Sequence, residues 1–145
     1  MTEVSMLVAN TAKPLFIPRS VDTGTEPDLV RSRELSATAV LIAGFGEIDA
    51  ANARKLEAAI GRHLDGYRQL VLDLSRLEFF GTAGYSVLTR LHARCARDAV
   101  NWVLVPGREV TRLLRICDPD GLMPTASNIV SAVAALARTA TSRLC

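Results

Sequence analysis

The chain predicts an α/β fold: one domain with a mixed central sheet of about four to five strands and about four helices packed against it. Three observations lead there. Short apolar runs of strand length alternate with longer segments whose apolar residues recur every three or four positions. The runs at 70–74 and 101–105 are apolar almost without a break, as strands covered on both faces are. Finally, 145 residues with 49% apolar and 22% charged side chains suffice for one packed core and argue against global disorder. Right-handed crossovers then make the central strands parallel. The first strand is joined by a short connection, so the sheet is expected to be mixed.

The elements follow in order. Residues 1–28 mix Thr, Pro, Ser and Gly without periodicity, and Pro14, Pro18 and Pro27 interrupt any long element. They are expected to form a flexible N-terminal tail, with a short extended piece at 14–17. The folded domain is expected over 29–139, with a C-terminal tail over 140–145. Residues 29–35 read as a polar edge strand and 37–44 as a buried one. The stretch Gly46-Glu47-Ile48-Asp49 then turns the chain, and Asp49 is placed to N-cap a helix over 50–64. In that helix Ala53, Leu56, Ile60 and Leu64 share a face, and Gly66 ends it. A strand at 70–74 follows, then a helix over 84–96 with Val87, Leu88, Leu91 and Cys95 on one side. The third buried strand is 101–105, broken by Pro106-Gly107. A short helix over 108–117 turns Val110, Leu113 and Leu114 inward. Asp118-Pro119-Asp120-Gly121 makes a turn, Leu122 and Met123 read as a last short strand, and 127–138 as a final helix with Ile129, Val133 and Leu136 inward.

Composition narrows the function. The formal net charge is +2, and no basic run accounts for it. Arg90, Arg94 and Arg97 recur at helical spacing and read as a solvated helix face. Without an aromatic stacking platform beside them, no nucleic-acid partner is expected. The start of the chain lacks a basic segment followed by a long apolar run, so it does not read as a signal peptide. No stretch reaches the ~18 apolar residues of a transmembrane helix. A cytoplasmic protein without membrane insertion is expected. Cys95, Cys117 and Cys145 are an odd set without metal spacing. They read either as buried small apolar side chains plus a loose terminal thiol, or with Cys95 and Cys117 as a redox pair. His63 and His92 have no acid at triad or metal spacing, and no phosphate-binding glycine motif follows a strand. No enzyme, no cofactor and no metal is expected.

The candidate site lies at 71–91, VLDLSRLEFFGTAGYSVLTRL. An apolar strand runs through a polar turn into a helix, and the turn holds Thr82 between Gly81 and Gly84. A hydroxyl there stands at a helix start, where free amides and the helix dipole favour an anion. Thr82 therefore has two compatible readings: a helix N-cap and a phosphorylation switch. Asp73, at the end of the strand, reads as holding the following turn through its carboxylate.

Three stretches carry a resemblance. Gly46-Glu47-Ile48-Asp49 is similar to the G-E-[LI]-D turn of the STAS domain family. The run Leu72-Asp73-Leu74-Ser75-Arg76-Leu77-Glu78-Phe79-Phe80-Gly81-Thr82-Ala83-Gly84 is similar to its D-L-S-x-[LV]-x-F-[ILM]-D-S-S-G signature. The stretch from Val103-Leu104-Val105-Pro106-Gly107 to Gly121-Leu122 resembles its strand, short helix and closing Gly-Leu. Within that family the chain resembles the bacterial anti-sigma factor antagonists of the SpoIIAA type, over residues 29–138. The resemblance implies that the chain binds an anti-sigma factor, a kinase-like protein, and so releases a sigma factor. It also implies that the hydroxyl after the signature aspartate, here Thr82, is phosphorylated by that partner. Gly81 stands where the family has the aspartate, Ala83 replaces the neighbouring serine, Gly84 is kept, and Tyr85-Ser86 replaces the usual Leu-Gly. The implied partner surface comprises Asp49, Gly81, Thr82, Ala83, Gly84, Tyr85 and Ser86. Two alternatives stay open. Thr82-Ala83-Gly84 also resembles the turn of STAS accessory subunits that bind the ATPase of a lipid-transporting ABC system. An antagonist that is not phosphorylated, or is gated by Cys95 and Cys117, fits as well. The sequence is also compatible with a homodimer.

Overall fold

The computed structural model describes residues 29–144. The expected tail at 1–28, its extended piece at 14–17, and Cys145 lie outside the described residues. The order is β1 (Val30–Ser36), β2 (Ala39–Gly44), β3 (Gly46–Ile48), α1 (Ala53–Leu64), β4 (Gln69–Asp73), β5 (Leu77–Phe80), α2 (Thr82–Asp98), β6 (Asn101–Val105), α3 (Gly107–Cys117) and α4 (Ile129–Leu144). The main sheet runs β1-β2-β4-β6. β1 is antiparallel to β2, while β2, β4 and β6 are parallel. The mixed sheet is as expected, and its cause is chain length. The turn between β1 and β2 is too short for a crossover, whereas α1 and α2 supply the longer connections.

Side-chain alternation explains the layers. On β2 and β4, Val40, Ile42, Leu70 and Leu72 pack with Leu56 and Ile60 of α1 and Leu88 and Leu91 of α2. The other face carries Val71, Val103 and Val105, which meet Ala132 and Leu136 of α4. Each central strand is thus buried on both sides, which is why its sequence reads as a continuous apolar run. A bidentate ion pair also joins α1 to α2: Arg90 donates from Nη2 to Glu57 Oε1 (2.8 Å) and from Nε to Oε2 (2.9 Å). That hydrogen bond and charge hold the Glu57 carboxyl below the usual carboxylate range.

Several expectations are corrected. A second, two-stranded parallel sheet pairs β3 with β5, where the sequence suggested turns. Gly46, at φ +83°, redirects the chain out of β2 so that Ile48 can bury beside Phe80. Both strands are too short for an alternation to register. Leu122 and Met123 form no strand, because the Asp118 carboxylate takes their N–H groups at 2.9 and 3.0 Å. The sheet contact moves to Thr125, which bridges Leu104. Val133 is 42% exposed. The inward positions of α4 are Ala132 and Leu136: Leu136 is as expected, and Ala132, one residue and a 100° rotation away, takes the place of Val133. α4 itself runs to Leu144, past the expected end at 138 and into the stretch expected to be a tail.

Candidate functional site

α2 begins two residues before its expected start. Gly81 is the N-cap, with extended backbone (φ −95°, ψ −178°) and no side chain to offer. Its N–H donates to the Ile48 carbonyl at 3.0 Å, and its own carbonyl accepts from Gly84 N–H at 2.9 Å. Thr82 is therefore not the cap but the first helical residue. It is exposed, and its hydroxyl makes no hydrogen bond among the described residues. Gly84 is required by packing: a Cβ there would lie 2.4 Å from the Phe80 ring. A Cβ on Gly81 would lie 3.2 Å from the Phe79 ring. Phe79 thus occupies the side of Gly81 where the signature aspartate of the resembled family would project.

Asp49 closes a turn ahead of α1. Its Oδ1 accepts from Ala51 N–H (2.9 Å) and Asn52 N–H (3.3 Å), and its carbonyl accepts from Ala53 N–H (3.0 Å). The regular helix starts only at Ala53, three residues later than expected, with Asn52 as its N-cap and no side-chain cap bond, so the Asp49 carboxylate ties the turn ahead of the helix rather than capping it. Asp73, buried at the end of β4, holds the next turn as expected, accepting from Ser75 N–H (3.0 Å) and Ser75 Oγ (2.6 Å).

These elements enclose a groove of about 480 Å3. One side is Asp49 and Ala50, the end of β5 and the Gly81–Thr82–Ala83 start of α2. The other is α3, through Glu109, Arg112, Leu113 and Ile116. Phe79 and Ile116, 46% and 75% exposed, bring two large apolar side chains to this one groove. Arg112 Nη1 lies 3.5 Å from Glu109 Oε1. The groove therefore brings Asp49, Gly81, Thr82 and Ala83 together, with Gly84 packed beneath. Tyr85 and Ser86 do not line it. Tyr85 is half-buried against the core, and burial, then Asp118 and Cys117, push its hydroxyl pKa up. The Ser86 hydroxyl donates back to the Thr82 carbonyl at 3.4 Å. Phe79, Glu109, Arg112, Leu113 and Ile116 were not foreseen. The available signal was Phe79, which precedes a buried phenylalanine in a strand and so points the other way.

Both thiols in the described residues are free. Cys95 is buried in the last turns of α2, and burial pushes its pKa up to about 11, which leaves it inert at neutral pH. Cys117 stands at the end of α3, where it bears on Tyr85 in the first turn of α2. Tyr85 and Cys95 are ten residues apart, about 15 Å along a helix, so this placement does not support a redox pair. The histidines have structural partners. His92 Nδ1 accepts from the buried Trp102 Nε1 at 3.1 Å, and His63 Nδ1 shares a hydrogen bond with Ser32 Oγ at 2.9 Å. Among the described residues no three metal-ligating side chains gather, and no helix is long and apolar enough to cross a membrane.

A small mixed α/β domain thus presents an exposed threonine hydroxyl, without a hydrogen bond among the described residues, beside a groove with exposed apolar side chains. Residues 32–132 match the family model of the STAS domain, and the chain belongs to that family. It is 37% identical over 105 residues to Osmosensory protein A of Mycobacterium tuberculosis, covering 70% of this chain and 65% of that protein, slightly under two thirds of its length. It is 31% identical over 102 residues to the Anti-sigma-F factor antagonist RsfA of Mycobacterium tuberculosis, covering 68% of this chain and 80% of that one. The crystal structure of an anti-sigma factor antagonist from Mycobacterium paratuberculosis superposes with a TM-score of 0.65 at 26% identity, covering 73% of this chain and 91% of that one.

Proposed function

We propose that this chain is an anti-sigma factor antagonist of the cytoplasm, a binding module and not an enzyme. It docks a kinase-like anti-sigma factor over the Thr82 groove and so releases a sigma factor. Phosphorylation of Thr82 by that partner ends the binding. The single observation that carries the reading is the Thr82 hydroxyl: exposed, unbonded within the described residues, and on the rim of a groove with Phe79 and Ile116 exposed. The likeness to RsfA supports the class of partner.

The physics suits a switch. Phosphothreonine brings roughly −1.5 to −2 charge and three acceptor oxygens. At the first residue of α2 the free amides tolerate that charge, so the fold survives. In an interface the same charge must be desolvated, on a rim that already carries Asp49 and Glu109 as well as Arg112. Gly81, in place of the aspartate, favours a second reading in which Thr82 docks a fixed partner and is never modified.

The test is capture of the partner from the source cell with the purified chain, then incubation of the complex with ATP and mass spectrometry of residues 77–90. A kinase-like partner and phosphate on Thr82 are expected. That partner without phosphate supports an antagonist that is not switched, and a transporter ATPase overturns the reading.

A further inference from the structure

Thr82 and Arg112 open onto the same groove, one from the start of α2 and the other from the middle of α3. We propose that Arg112 receives the phosphoryl group on Thr82, leaving Glu109 to tie α3 to the start of α2 across the groove mouth. The inference rests on the reading of Thr82 as a modified residue, and it adds a closing movement to the charge.

Three features of the groove support it. The hold of Glu109 on Arg112 is weak. At 3.5 Å the pair is longer than the roughly 2.7–2.9 Å of a charge-assisted hydrogen bond, and the Arg112 side chain is 69% exposed. A phosphate is the stronger acceptor, because its oxygens match the guanidinium fork and its charge approaches two. The competition is also limited. Asp49, Glu109 and Arg112 are the charged residues among those lining the groove, and the Asp49 carboxylate is already engaged by the amides of Ala51 and Asn52. Gly81 leaves the position next to Thr82 uncharged, so no adjacent carboxylate draws the guanidinium away. Lastly, Phe79 and Ile116 line the same groove, and their exposed apolar surface is what a partner would bury. Phosphorylation would then act twice, by adding charge and by covering the groove.

The test uses the full chain with phosphothreonine installed at position 82 during synthesis, so that no kinase is needed. The second ionisation of the phosphate is followed by phosphorus NMR against pH in three proteins: the parent, Arg112→Gln and Glu109→Gln. A cation paired with the phosphate favours its dianion. Arg112→Gln is therefore expected to raise that pKa by about half a unit or more, roughly threefold in proton affinity. Glu109→Gln, which frees Arg112 and removes a like charge, is expected to lower it. The same pKa in the parent and in Arg112→Gln overturns the bridge, whatever the partner does. Failure of the captured partner to modify Thr82 overturns the switch instead and does not bear on this titration.

Discussion

The starts of α1 and α2 solve one problem in opposite ways. Each leaves backbone N–H groups without helical partners. Ahead of α1 the turn is tied by its own side chains: Asp49 Oδ1 takes Ala51 and Asn52 N–H, and Asn52 Oδ1 takes Asp49 N–H at 2.9 Å. At α2 the N-cap is Gly81, which offers none, and the Thr82 hydroxyl beside it is unused. Both starts border the same groove. A helix start closed by its own side chains contributes stability. One left open, exposed and next to an apolar surface gives up that contribution and is available to a partner or a phosphate.

Substitutions at four positions probe the contrast, in falling order of effect. Thr82→Glu puts a charge on the open start, and about a hundredfold loss of partner affinity is expected, equivalent to roughly 3 kcal/mol. Thr82→Ala should bind normally, and calorimetry of both against the captured partner decides. Equal binding by Thr82→Glu would break the contrast, since the open start would then not be where the partner sits. Gly84→Ala drives a methyl into the Phe80 ring, 2.4 Å away, and should cost about 2 kcal/mol in urea unfolding. A neutral result would mean that α2 can lift from β5 without loss. Asp49→Ala removes the carboxylate that ties the turn ahead of α1 and should cost about 1 kcal/mol by the same measurement. Gly81→Asp gives α2 the cap it lacks. Its backbone is already extended as a cap requires, but the new Cβ meets the Phe79 ring at 3.2 Å. A gain of a few tenths of a kcal/mol is expected, since glycine caps nearly as well. A clear loss would show that the Phe79 ring cannot give way.

Much of the fold was legible. The buried strands at 70–74 and 101–105 announce themselves because parallel strands covered on both faces are apolar through their centres, with Asp73 at the end of β4 and Asn101 at the start of β6 as the polar exceptions. α1 and α2 announce themselves because their apolar residues repeat at helical spacing. β3 and β5 did not, since three or four residues carry no measurable period. The strand expected at 122–123 was lost to the buried Asp118 carboxylate, a long-range arrangement that leaves no local mark. Val133 was misplaced because several apolar stripes of α4 compete, and only the position of the sheet chooses among them.

The site divides in the same way. By itself the sequence determined the loop with its one hydroxyl at Thr82, the glycines on either side, the strand it leaves and the family those residues resemble. These are local matters of turn chemistry and spacing, written within a dozen consecutive residues. Only the tertiary structure decided that Gly81, not Thr82, caps α2, that Tyr85 turns toward the core, and that α3 forms the far wall of the groove with Glu109, Arg112 and Ile116. Which helix faces which is set by how the sheet twists and which surfaces remain to be buried, a property of the whole packed chain that no local stretch encodes.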